Sequence, residues 1–220
     1  MAAVFDLFGT LLDIASLRDA AASVASDPAA FVATWREKQI AYSFASAIIG
    51  RHEDFDAITA YALRYAAAKY GVTLDTLRRK RLIDAWFNVA PFDDALPALE
   101  ALRTRGIRCA VLTNGTPATA LSATANAGLD ALLDVTLSVE SAGVFKPDRR
   151  VYALATGHFQ VPAERLMFVT SNGWDATGAA AFGMRVVWCN RSDAPAETFG
   201  PPPEWTIATL HELVAITEAP

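Results

Sequence analysis

Apolar positions along this chain follow two alternating patterns. Short apolar runs rich in Val, Leu, Ile and Phe occupy residues 2–8, 107–113, 134–139, 166–171 and 184–189, and amphipathic segments of helix length separate them. Short runs of this kind read as strands buried on both faces, so the pattern predicts a parallel sheet covered by helices on each side. The fold class predicted is α/β, a doubly wound parallel sheet. Residues 15–90 break the alternation, being Ala-rich and helix-periodic with no convincing strand. Ser26-Asp27-Pro28 reads as a helix start, Gly50 and Gly71 as breaks, and Pro91 as the close of the block. The expected organisation is an α/β core of residues 1–14 and 93–220, with residues 15–92 inserted after the first strand as a helical cap.

Composition narrows the partners. The 220 residues are 53% hydrophobic and 20% charged, enough for a sizeable core in one large domain or a core with an insertion. A net charge of -5 argues against a dedicated nucleic-acid surface, which needs clustered Lys and Arg. The basic run RRKR at 78–81 is flanked by Leu77, Leu82 and Ile83 without an aromatic platform, and reads as the solvated face of a helix. No apolar stretch reaches the ~18–20 residues that span a bilayer, and the N-terminus lacks a charged-then-apolar leader pattern, so no membrane and a cytoplasmic location are expected. Cys109 and Cys189 lie in strand-like apolar runs without CxxC spacing and are expected to be buried thiols.

Ligands of an open α/β sheet bind beyond the carboxyl ends of its strands. The first run there carries Asp6, Phe8, Gly9 and Thr10, and the second Thr113-Asn114-Gly115. The third leads to Lys146-Pro147 and Tyr152, and the fourth to Thr170-Ser171-Asn172-Gly173-Trp174-Asp175. Two carboxylates, one ammonium and a set of hydroxyls and amides thus converge on one edge. A lone Asp at a strand end is commonly a cap or turn residue, but capping alone does not account for polar clusters at four strand ends.

The stretches FDLFGTLLD, LTNG, FKPDRRVY and TSNGWDATGA resemble the four ordered motifs of the haloacid dehalogenase superfamily, over nearly the whole chain. WREKQIAYSF (35–44) and SNGWDATGA (171–179) resemble its L-2-haloacid dehalogenase branch in particular. Phosphatases of the superfamily are the rival. They use DxD, where the second Asp protonates the leaving oxygen, and hold Mg²⁺ with acids near the fourth strand. Here Phe8 stands at the second Asp position and Ser171 at the first of those magnesium acids, which removes the general acid and leaves too few hard oxygen ligands.

The resemblance implies a Rossmann-like core with an inserted cap, and a hydrolase that turns (S)-2-haloacids and water into (R)-2-hydroxyacids and halide without metal or organic cofactor. A small 2-haloalkanoate and halide are the implied partners, and a homodimer is possible because relatives commonly form one. Asp6 would be the nucleophile on C2, with Thr10 setting its angle and Lys146 holding it ionised. Arg36 would hang from the cap to receive the departing halide, with Asn114 below. The substrate carboxylate would meet Thr113 and the backbone N–H groups of Leu7, Phe8 and Asn114, while Phe8, Ile40, Phe55 and Trp174 would exclude water from C2. Asp175, held with Asn172 and Lys146, would activate the water that cleaves the ester, and Tyr152 would position the Lys146 region. Thr113 and Thr170 stand where many relatives carry Ser, and each added methyl narrows the site. A small-molecule phosphatase with an atypical acid and a silent binding relative are the alternative readings.

Overall fold

The computed structural model describes residues 2–218. Strands β1 (Ala2–Phe5), β2 (Arg108–Thr113), β3 (Val135–Ser138), β4 (Leu166–Thr170), β5 (Arg185–Cys189) and β6 (Trp205–Ile207) form one sheet in the order β3-β2-β1-β4-β5-β6. Every pair is parallel. β1 is buried throughout and lies between β2 and β4, with Phe5 level with Val111 and Val169. Strand order reverses at β1 and β4, so their carboxyl ends open onto the crevice where ligands bind in such sheets.

Five of the strands match the predicted runs, with two differences. The first run, expected to continue to residue 8, ends as a strand at Phe5, and the Asp6 amide makes the last bond to β4, donating to the Val169 carbonyl at 2.9 Å. The chain then turns sharply, because the Leu7 carbonyl accepts the amides of Thr10, Leu11 and Leu12. Gly9 allows this turn at φ +95°, a region that costs other residues strain. The second difference is β6, which lies at the sheet edge and follows Pro201, Pro202 and Pro203.

Between β1 and β2 lie α1 (Arg18–Ala21), α2 (Pro28–Ile48), α3 (Phe55–Lys69) and α4 (Thr76–Asp84). Asp27 caps α2 by accepting the Ala30 amide at 3.0 Å, with Pro28 in the first turn, an arrangement worth about 1 kcal/mol. Gly50 and Gly71, both at positive φ, follow the ends of α2 and α3 as expected. α2 packs along α3, and Phe31, Trp35, Leu63 and Trp86 join the buried cluster that reaches β1 through Phe5. Phe55 and Ile58 join the cluster on the other face of the sheet. The two connecting legs are tied to each other: Asp13 donates its amide to Ala90 at 2.7 Å, and Phe92 to Leu11 at 2.9 Å.

The core helices are α5 (Ala95–Thr104), α6 (Pro117–Asn126), α7 (Arg149–Phe159), α8 (Gly173–Phe182) and α9 (Leu213–Glu218). Arg78 to Arg81 are exposed on α4, as their charge demands. Cys109 and Cys189 are buried free thiols, and burial pushes Cys109 up to about 12. Among the described residues no helix is long and apolar enough to cross a membrane.

Candidate active site

Asp6 leaves β1 into the crevice with only 6% of its surface exposed, and its two oxygens receive three donors. Lys146 Nζ donates to Oδ1 at 3.0 Å, while Thr10 Oγ1 and Asn172 Nδ2 donate to Oδ2 at 3.0 and 2.8 Å. The turn after β1 brings Thr10, four residues on, back to the Asp6 carboxylate. Thr10 Oγ1 also accepts the Ser171 amide at 2.9 Å, so its single hydrogen is directed at Asp6.

Lys146 is fully buried and donates also to Asp175 Oδ2 at 2.9 Å. Burial alone would lower its pKa, but the charges of Asp175 and Asp6 outweigh it and hold the ammonium above its ordinary range. Asp175 sits in the first turn of α8 with no exposed surface. Burial raises its pKa, Lys146 opposes this and Asp6 adds to it, leaving a carboxylate more basic than usual. Tyr152 Oη donates to Asp175 Oδ1 at 2.7 Å, and burial together with the Asp175 charge keeps that phenol protonated. Each of the four carboxylate oxygens of Asp6 and Asp175 therefore faces a protein donor.

Arg36 reaches this cluster from α2. Its Nη2 donates to the Phe8 carbonyl at 3.3 Å and its Nη1 to Gln39 Oε1 at 2.6 Å. Burial lowers its pKa to about 10 against the pull of Asp6 and Asp175, so the guanidinium stays charged at neutral pH. The Phe8 ring packs edge-on against Trp86 at 5.4 Å, and Phe55 lies 5.7 Å from Phe145. Trp174 meets Phe44 of α2 at 5.2 Å, and Ile40 is half-buried one turn beyond Arg36. Thr113 Oγ1 accepts the Gly115 amide, Asn114 Oδ1 the Lys146 amide and Thr170 Oγ1 the Asn172 amide, at 3.1, 3.0 and 3.1 Å.

The family model of haloacid dehalogenase-like hydrolases matches residues 1–183. The chain belongs to that family. The (S)-2-haloacid dehalogenase of Pseudomonas sp. (strain YL) is 36% identical over 215 residues, covering 97% of this chain and 93% of that protein. The crystal structure of the L-2-haloacid dehalogenase RSc1362 superposes with a TM-score of 0.96 at 33% identity, covering 99% of this chain and 98% of that one. The L-2-haloacid dehalogenase of Xanthobacter autotrophicus, solved with chloropropionic acid covalently bound, superposes at 0.93 with 30% identity and the same coverages, 99% and 98%.

Within this haloacid dehalogenase-like hydrolase, Tyr152 reaches the Lys146 region through Asp175, because α7 packs against α8 and its hydroxyl meets the first turn of that helix. One contact differs from expectation. The Asn172 side chain holds Asp6 rather than Asp175, since Asn172 precedes α8 and faces the turn after β1. Other site residues carried no strong local signal. Gln39 and Thr59 are buried polar residues of α2 and α3 whose periodicity gives no hint of their contacts. Arg191 follows β5, donates to the Thr10 carbonyl at 3.0 Å and grips Asp94 with two bonds of 2.8 Å. It stands just beyond the carboxyl end of β5, on the same edge of the sheet as Asp6.

The Asp175–Tyr152 contact depends on a missing side chain. A Cβ at Gly178 would lie 2.5 Å from both Pro147 Cβ and Tyr152 Oη, distances at which something must move. Gly178→Ala is expected to cost about 1–3 kcal/mol of stability by overpacking and to lower turnover by dislodging Tyr152. Thermal unfolding and halide release measure the two effects, and wild-type values in both would show that this close approach is dispensable.

Proposed function

We propose that this chain is an (S)-2-haloacid dehalogenase in which Asp6 forms and releases a covalent ester. The observation that carries the reading is Asp6 itself: a buried carboxylate held by Lys146, Thr10 and Asn172, with a basic Asp175 on the other side of Lys146 and a charged arginine above. Oδ1 carries one donor against two on Oδ2, which makes it the freer nucleophile. It attacks C2 of the substrate, the C–halogen bond breaks with its electron pair on halogen, and C2 inverts. Arg36, aided by Asn114, receives the halide. A halide needs no protonation, which accords with an arginine and an apolar Phe8 where a phosphatase carries an acid.

The Thr113 hydroxyl hydrogen and the backbone N–H groups of Leu7, Phe8 and Asn114 face the substrate carboxylate in this reading. Phe8, Ile40, Phe55 and Trp174 keep water from C2. In the second step water attacks the carboxyl carbon of the Asp6 ester while Asp175 takes its proton, held in place by Lys146 and Tyr152. Lys146 and the other Asp6 donors balance the tetrahedral oxyanion. Collapse expels the hydroxyacid oxygen, which takes the proton held by Asp175, and the second proton of the attacking water is lost to solvent, restoring the Asp6 carboxylate. Thr170 acts one step away, fixing Asn172 through its amide.

Residues 15–92 act as the cap and 1–14 with 93–220 as the core, a division supported by the tied legs at Leu11–Phe92 and Asp13–Ala90. A homodimer formed through the cap is supported by the exposed Ile48 and Ile49 at the end of α2, and sedimentation at the monomer mass would exclude it. A cytoplasmic location belongs to this reading, and fractionation tests it. The activity needs no metal or cofactor, a reading supported by the four carboxylate oxygens that already face protein donors. Halide release from (S)-2-chloropropionate is expected to persist through exhaustive chelation and to exceed phosphate release from a generic phosphate ester. Loss on chelation with recovery in Mg²⁺ would contradict the metal-free route, and preference for the phosphate ester would favour the phosphatase reading.

A further inference from the structure

The guanidinium that receives halide does not stand on its own helix alone. Arg36 can only donate, so the Gln39 atom facing its Nη1 at 2.6 Å must be the amide oxygen. That choice turns Gln39 Nε2 toward Thr59 Oγ1 on α3, to which it donates at 2.6 Å. Thr59 Oγ1 must therefore accept, and its own hydrogen goes to the Phe55 carbonyl at 2.7 Å. Each bond in the chain has one permitted direction, set by its neighbour. Gln39 is 1% and Thr59 5% exposed, so both partners are shielded from bulk solvent.

The far end of the chain is anchored in the core. Asp56, next to Phe55, accepts the hydroxyls of Thr116 and Thr119 at the start of α6, both at 2.9 Å. At the near end Arg36 Nη2 donates to Phe8, two residues after the nucleophile. The chain thus runs from core through α3 and α2 and back to the core. A cavity of about 30 Å³ lined by Phe8, Gln39, Phe55, Thr59 and Trp86 leaves space beside the amide, so hydrogen bonds rather than close packing fix its orientation.

We propose that Gln39 and Thr59 are positioning residues that orient Arg36 toward the departing halide, an inference that rests on Arg36 having that role. They touch neither substrate nor nucleophile, and they act only on the first half-reaction. A misplacement near 1 Å of a group in the reacting geometry costs on the order of 100-fold.

The test is single-turnover kinetics with enzyme in excess, measuring halide release and ester breakdown separately for (S)-2-chloropropionate and (S)-2-bromopropionate. Gln39→Leu and Thr59→Val are expected to slow chloride release by at least ~10-fold. Bromide, the better leaving group, should be slowed less, and ester breakdown should be nearly unaffected. Thr59→Ser, which restores the hydroxyl, should recover most of the rate, and the Thr59 pair carries the test if Gln39→Leu does not fold. Equal slowing of both half-reactions, unchanged chloride release, or failure of Thr59→Ser to recover would overturn the proposal. Arg36→Ala separates the two levels. If it leaves chloride release intact, the halide role of Arg36 is wrong; if it slows release while Gln39→Leu does not, only the positioning chain is wrong.

Discussion

Replacing Asp6 with alanine is expected to lower halide release by at least ~10⁴-fold while the protein stays folded. The chemical loss is large because no other carboxylate can take over. Asp175, the neighbour across Lys146, has one oxygen on Tyr152 and the other on the ammonium, and it lies in a helix on the far side of that contact. Folding survives because Lys146 keeps Asp175, so no buried charge is left unpaired. Circular dichroism and thermal unfolding establish the fold, and an ion-selective electrode reads turnover. Activity within 100-fold of wild type would remove Asp6 from the role of nucleophile.

Lys146→Met is expected to reduce both activity and stability. Two buried carboxylates would face each other without a cation, and removing one partner of such a cluster costs about 3–5 kcal/mol. For a chain of this size the melting temperature should fall on the order of 10 °C. Asp175 would take up a proton to relieve the repulsion and would then no longer serve as a base. The pH dependence has a definite sign. The folded-state pKa of Lys146 is raised, so its contribution to stability is complete below the ordinary value of 10.5 and is lost as pH rises through the folded value. Wild type should lose stability in that alkaline range by more than Lys146→Met does, and identical alkaline melting curves would show that the ammonium is not what the carboxylates depend on.

Much of the fold could be read from hydrophobic patterning because β1, β2, β4 and β5 are buried almost throughout and leave uninterrupted apolar runs, and β3, half-buried at one sheet edge, still alternates Val and Leu with polar residues. β6 could not. It has three residues at the sheet edge, with Trp205 half-buried and Thr206 exposed, so the signal of two-sided burial is absent. The apolar run extends past the end of β1 because Leu7 and Phe8 are as buried as a strand interior, although their backbone belongs to the turn. At the site, Asp6, Lys146 and Asp175 stood out as charges at the ends of apolar runs, where burial is expected and charge is not. Gln39 and Thr59 lacked that contrast. On helices each reads as one polar residue among others, and only the packing of α2 on α3 removes them from water and joins them to Arg36. Tyr152 was identifiable but its partner was not, since that depends on how closely Gly178 lets α8 approach.

The central claim, that the chemistry passes through an ester on Asp6, is tested most directly by following oxygen. A single turnover of (S)-2-chloropropionate in H₂¹⁸O with enzyme in excess should place the label in the Asp6 side chain, because water attacks the carboxyl carbon and the hydroxyacid departs with an oxygen that belonged to Asp6. The first (R)-lactate formed should carry no label, and mass spectrometry of the peptide containing Asp6 should show the gain. Label in the first lactate with none in Asp6 would mean that water attacks C2 directly, and the covalent account would be wrong.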